Sequence, residues 1–265
     1  MNQSTVIGLL GGAIVLIGML IMAPVNAGAF FNIPGLLVVL GGTFAATCIS
    51  RPFRDVYRLL RTLPDLFRED AGSIETDVGQ LLQFATRYRH GNLQTAEREL
   101  ANIDNPFLHA GLRRVIDRGT PEDLRNSMQW RISGLRSREQ GRVQILQTMS
   151  VFAPAFGMLG TLFGLVQMLS GIGSSGLDEI GGTMAFAMIT TVYGIVASNL
   201  FFKPLAIKME RRTVQRLMHL NALMEGVMQV YEKRHPTLIR ESLEGFFAHQ
   251  SSPMVAPGAL ELVRI

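Results

Sequence analysis

Residues 148–202 read TMSVFAPAFGMLGTLFGLVQMLSGIGSSGLDEIGGTMAFAMITTVYGIVASNLFF, a stretch with no Lys, Arg or His and with Asp178 and Glu179 as its only charges. Two charge-free runs lie inside it, 148–172 and 180–202. Each is long enough for a helix to cross a bilayer, which takes about 20 apolar residues. Residues 1–50 share this character, with no Lys or Arg and two further apolar windows at 5–22 and 33–50. Pro24 and the turn-forming Asn26-Ala27-Gly28 close the first window, Arg51-Pro52 the second and Lys203-Pro204 the last. All 25 Lys and Arg fall elsewhere: 16 Arg in 51–147 and nine basic residues in 203–265. Basic residues close to membrane helices resist translocation, so both blocks are expected on the cytoplasmic side.

The chain therefore reads as all-α: a polytopic inner-membrane protein with four transmembrane helices, a helical cytoplasmic domain and both termini cytoplasmic. Residues 1–50 hold transmembrane helices 1 and 2, and 51–147 form the cytoplasmic loop domain. Residues 148–202 hold helices 3 and 4, and 203–265 a cytoplasmic helical tail with a loose end after Gln250. The competing reading of the first window as a cleaved signal peptide meets two objections. It lacks a basic leader, and its apolar core is too long.

Within the cytoplasmic blocks, Ser73 can cap a helix carrying Ile74, Val78, Leu81, Leu82 and Ala85 at helical spacing, with Gly91 as a stop. Thr120-Pro121-Glu122-Asp123 is a second helix start, with a hydroxyl cap, proline in the first turn and acids behind it. That helix can continue through Arg142 into the third window. Residues 205–234 extend the fourth window in the same way until Pro236.

Several functions are disfavoured. GIGSSG at 171–176 matches a dinucleotide fingerprint, but it follows a membrane helix and not a strand. There is no P-loop and no zinc spacing, and the five histidines (His90, His109, His219, His235, His249) form no catalytic constellation. Near-balanced charge with little aromatic interleaving makes a poor nucleic-acid footprint. The expectation is no enzyme, no cofactor and no bound metal. The lone Cys48 rules out an internal disulfide.

Small residues are distributed unevenly in the last two windows. Gly157, Gly160, Thr161 and Gly164 share one helix face, and Thr183, Ala187, Thr190, Gly194 and Ala197 make a similar stripe with Thr191 at its edge. Such faces serve close helix packing, or they surround another helix or an ion path lined by Thr oxygens. No window contains an Asp, Glu, Lys, Arg or His. An ion path normally needs an ionisable group, so a partner must bring it. Pro154 and Pro204 free the carbonyls of Ser150 and Leu200, making either static kinks or hinges.

Residues 153–166 (APAFGMLGTLFGLV), with 185–194 (AFAMITTVYG) and 202–206 (FKPLA), resemble the flagellar stator A subunits, the MotA/PomA family of the MotA/TolQ/ExbB superfamily. The resemblance implies a homo-oligomer, a pentamer in the family, around a MotB/PomB-like B subunit that supplies the ion-binding Asp. It implies that ion flow turns this ring against a rotor switch protein. Pro154 and Pro204 match the family's coupling prolines, and Arg89 and Glu97 match the spacing of its rotor-contacting charges. His90 stands where some relatives have Lys. Thr161, Thr190 and Thr191 resemble the sodium-type members, so the transported ion is expected to be Na⁺, with H⁺ as the alternative. Four windows, with the large loop after the second, fit the stator better than a three-span ExbB- or TolQ-like energiser of a non-flagellar machine.

Overall fold

A computed structural model describes residues 11, 12, 14, 18, 31–64, 74–89, 93–171 and 176–248. Among these the secondary structure is helical throughout. Three helices are long and apolar enough to cross a membrane: Ile33–Ser50, Pro121–Gly171 and Ile180–Tyr231. Most of the first apolar window, the signals Ser73 and Gly91, and the tail after Gln250 lie outside the described residues.

The chain divides into two compact units. One comprises Met1–Glu69 and Ser137–Thr213, the other Asp70–Arg136 and Val214–Ile265.

In the first unit, α1 (Ile33–Ser50) starts where Asn32 Oδ1 accepts the Gly35 amide at 3.0 Å, with Pro34 in the first turn. The Asn32 amide itself donates to the Tyr193 hydroxyl at 2.9 Å. The helix widens into a π turn over Leu37–Gly41. Thr43 and Thr47 are fully buried, and their hydroxyls donate to Val39 O at 2.6 Å and Thr43 O at 2.7 Å. Back-bonding of this kind satisfies a hydroxyl with no solvent to help it.

After Arg51 and Pro52 comes α2 (Phe53–Thr62), which the sequence reading did not single out. Val56 and Leu59 bury one side of it against Val143, Leu146, Met149, Ala206 and Met209.

In the second unit, α3 (Ile74–Arg89) packs through Leu81, Leu82, Phe84 and Ala85. Ile74, an expected core position, is instead largely exposed, as first-turn residues often are. It is joined by α4 (Leu93–Leu100) and α5 (Pro106–Ile116). The Asn105 side chain caps α5 by accepting from Phe107 N at 3.0 Å, while its amide donates to Asp77 Oδ2 at 2.7 Å. Gly111 lies where α5 packs closely on its neighbours, since a Cβ there would come within 2.8 Å of Met128 Cε.

The start expected at Thr120 is observed. The Thr120 hydroxyl accepts the Asp123 amide at 3.2 Å, and α6 (Pro121–Gly171) runs on as one helix of 51 residues. The last long element begins as α7 (Leu177–Val196) and widens into a π turn at Ala197–Phe202. It continues as α8 (Lys203–Tyr231) and is followed by α9 (Pro236–Ala248).

Candidate functional site

The two small-residue stripes lie directly against each other in the first unit. A Cβ on Gly157 would approach Thr190 O at 2.9 Å, and one on Gly164 would meet Ala187 Cβ at 2.7 Å. On Gly160 it would sit 2.7 Å from the Thr190 side chain. The tightest crossing is at Gly194, where an added Cβ would come within 2.6 Å of Ala153 O and 3.1 Å of Pro154 Cα. Here the obstacle is backbone on both sides, so no rotamer change relieves it. Absence of side chains at these positions is what lets α6 and α7 touch along their backbones.

Close contact brings hydroxyls together. The Thr161 and Thr191 Oγ1 atoms are hydrogen-bonded to each other. Thr161 Oγ1 also reaches Ala187 O at 3.0 Å and Gly157 O at 3.2 Å, and Thr191 Oγ1 reaches Gly157 O at 3.4 Å. The cluster is half-buried and uncharged. Such a cluster can offer oxygens to a cation but cannot neutralise it.

Thr190 is placed differently from this pair. It is fully buried, its hydroxyl donates to Ala187 O at 2.8 Å, and its methyl faces the position where Gly35 would carry a Cβ, at 3.0 Å. It therefore sits at the junction of α1, α6 and α7. The exposed side chains around the Thr pair are apolar: Met158, Leu162, Met188, Val192 and Ile195.

The carbonyl that Pro154 leaves without a helical donor is not left bare. Ser198 Oγ donates to Ser150 O at 2.6 Å, across to α6 from the turn that follows α7. Ser198 is itself buried, in the π turn. In that turn the Lys203 amide reaches Ser198 O, one residue further back than in an α-helix, immediately before Pro204. A wider turn there accommodates a residue that cannot donate. Ser198 thus donates to the carbonyl that Pro154 frees and accepts the amide of the residue before Pro204. Sequence reasoning overlooked this residue, although Ser198 and Asn199 near the end of the window were a visible polar signal.

In the second unit, Arg89 ends α3 and Glu97 lies in α4, and both are exposed. Neither has an ion-pair or hydrogen-bond partner among the described residues. The ion pair formed between these helices is Arg87 Nε with Glu99 Oε1, at 3.6 Å. His90 is outside the described residues.

A buried polar node was also missed. His219 Nε2 lies 3.1 Å from Asp77 Oδ2 without a hydrogen bond between them. Burial holds the His219 imidazole below its ordinary pKa of 6.5, with the Asp77 carboxylate pulling the other way. His219 stands beyond the apolar run that ends at Phe202.

Residues 99–222, which include the whole Gly/Thr contact, match the MotA/TolQ/ExbB proton channel family, a family of ion channels and not of enzymes. The chain is 28% identical over 247 residues to Motility protein A of Borreliella burgdorferi, covering 93% of this chain and 94% of that one. It is 27% identical over 247 residues to Chemotaxis protein PomA of Vibrio alginolyticus, covering 93% and 95%. Its fold matches the flagellar MotAB stator complex of Bacillus subtilis with a TM-score of 0.80 at 25% identity, covering 97% of this chain and 98% of that one. It matches C. jejuni MotAB with a TM-score of 0.84 at 19% identity, covering 97% and 100%; at that identity the likeness concerns the fold alone. The chain is similar to both the motility A and the PomA proteins, and 28% against 27% identity does not favour one over the other.

Proposed function

We propose that this chain is the A subunit of an ion-driven flagellar stator. It would sit in the bacterial inner membrane with four spans and both termini cytoplasmic. The observation that carries the reading is the Thr161–Thr191 pair set into backbone contact between α6 and α7, with no Asp, Glu, Lys, Arg or His in either apolar run. An oxygen-lined surface without charge suits an ion path only if another chain supplies the carboxylate. The exposed apolar rim beside the pair is where a membrane helix of a MotB-like partner would lie. Similarity to the flagellar MotAB stator complex of Bacillus subtilis over 97% of the chain supports such a partner.

In this reading several copies, five by family resemblance, ring the partner's helices. Na⁺ is the proposed ion, because replacing its hydration shell takes oxygens and Thr161 and Thr191 present them; H⁺ is the alternative. Pro154 and Pro204 pass movement toward the second unit. There Arg89 and Glu97 meet the rotor as exposed charges with no partner among the described residues. The family matched also includes TolQ and ExbB proteins, so an energiser of a non-flagellar machine is the second reading. Complementation separates the two. Cells lacking their own A subunit should swim when this chain is expressed with its one-span partner; restored envelope transport without motility would favour the energiser.

A further inference from the structure

The helix α2 (Phe53–Thr62) begins after only two residues beyond the apolar helix Ile33–Ser50, and its surface is divided into three stripes. At about 100° per residue, Val56 and Leu59 form the first, wholly buried in their own unit. Next around the helix come Leu60, Phe53 and Tyr57, which are 40%, 59% and 57% exposed. Beyond them stand Arg61, Arg54 and Arg58, all exposed and without an ion-pair partner among the described residues. The one acid, Asp55, is on the side away from the exposed aromatics. The Phe53 ring packs edge-on against Phe44 of α1 at 6.1 Å and stacks on Tyr57 at 6.4 Å, so the exposed apolar stripe is continuous with the apolar helix.

We propose that α2 is an interfacial helix that holds anionic phospholipids. Phe53, Tyr57 and Leu60 enter the leaflet that adjoins Ser50, and Arg54, Arg58 and Arg61 clasp lipid phosphates. Aromatic rings favour this depth of a bilayer, and long Arg stems can lie along apolar surface while their heads reach outward. The guanidinium fork matches phosphate oxygens in pairs. Charge argues for a lipid and against a second copy of the chain, since residues 51–147 carry 16 Arg against 13 acids. A like-charged neighbour would repel the Arg edge, whereas anionic headgroups attract it. The inference rests on the membrane placement proposed above but not on the stator role.

The test uses the full chain in nanodiscs of phosphatidylcholine with or without phosphatidylglycerol. Trp130, the only Trp, is changed to Phe, and Tyr57→Trp or, on the exposed face of α1, Leu37→Trp supplies a probe. Brominated acyl chains should quench the probe at position 57, and phosphatidylglycerol should displace phosphatidylcholine from the purified chain. The triple variant R54Q/R58Q/R61Q should lower that preference at least about tenfold, and R54K/R58K/R61K should keep most of it. Quenching at 37 with none at 57 overturns the proposal while sparing the membrane placement. No quenching at either position overturns both. Equal phosphatidylglycerol preference in the Gln variant, or cross-linking of position 57 to a neighbouring copy, also overturns it.

Discussion

Ser198 Oγ donates a 2.6 Å hydrogen bond to Ser150 O, the acceptor that Pro154 leaves without its helical donor. Proline's cost to α6 is therefore met by a side chain from the π turn after α7, and the kink is tied to the neighbouring helix. Ser198→Ala should destabilise the protein by about 0.5–1.5 kcal/mol, the range for hydrogen bonds between membrane helices. Pro154→Ala restores an amide that can reach Ser150 O. It should therefore make the Ser198 change nearly neutral in a double-mutant cycle of thermal stability in detergent. Additive losses would show that the two residues act independently.

Glycine substitutions should divide by what a Cβ would meet. Gly194→Ala drives a methyl into Ala153 O at 2.6 Å and should cost about 1–3 kcal/mol. Gly79→Ala, in the second unit, meets nothing within 4 Å inside a helix and should stabilise by about 0.5–1 kcal/mol. Melting temperatures of the two variants check the contrast.

Burial of His219 has a pH consequence. Its folded pKa is lowered from 6.5, so below that value the unfolded chain binds the proton more readily than the folded one. Stability is therefore present above pH 6.5 and declines as pH falls through it toward the lower folded value. His219→Gln should flatten that decline in denaturation measured between pH 8 and 5. An equally steep decline would place the cause elsewhere.

Arg89 and Glu97 test the rotor contact. Both are exposed, so Arg89→Glu and Glu97→Lys should change stability by less than about 0.5 kcal/mol. If they meet the rotor, the same changes should shrink swimming rings in soft agar at normal membrane levels. Reversing the charge of Arg87, which faces Glu99, serves as the control.

Much of the site was legible because helix periodicity is local. Gly157, Gly160 and Gly164 repeat at three and four residues, so a shared face followed from spacing, and the start at Thr120-Pro121 followed from cap chemistry. Relationships that depend on how helices cross were not legible. Thr190 was grouped with Thr161 and Thr191, yet it turns toward Gly160 and Gly35, because adjacent residues in a helix point about 100° apart. The π turns at Leu37–Gly41 and Ala197–Phe202 have no residue signature. The Asp77–His219 contact joins distant parts of the chain, which no spacing rule reaches. Phe53–Thr62 carried a readable pattern in Val56 and Leu59, but its Arg content drew it into the reading of a topogenic block.

Replacing Na⁺ by K⁺ at fixed pH tests the ion. Cells depending on this chain should slow to a near stop if Na⁺ is carried, and persistent speed in K⁺ would favour H⁺.

The most direct measurement is the swimming speed of cells whose only A subunit is this chain, compared with the variant Thr161→Val/Thr191→Val at matched membrane levels. Val keeps the shape of Thr and removes both hydroxyls. The account predicts loss of motility with the stator still assembled, and unchanged speed would contradict an ion path lined by this pair.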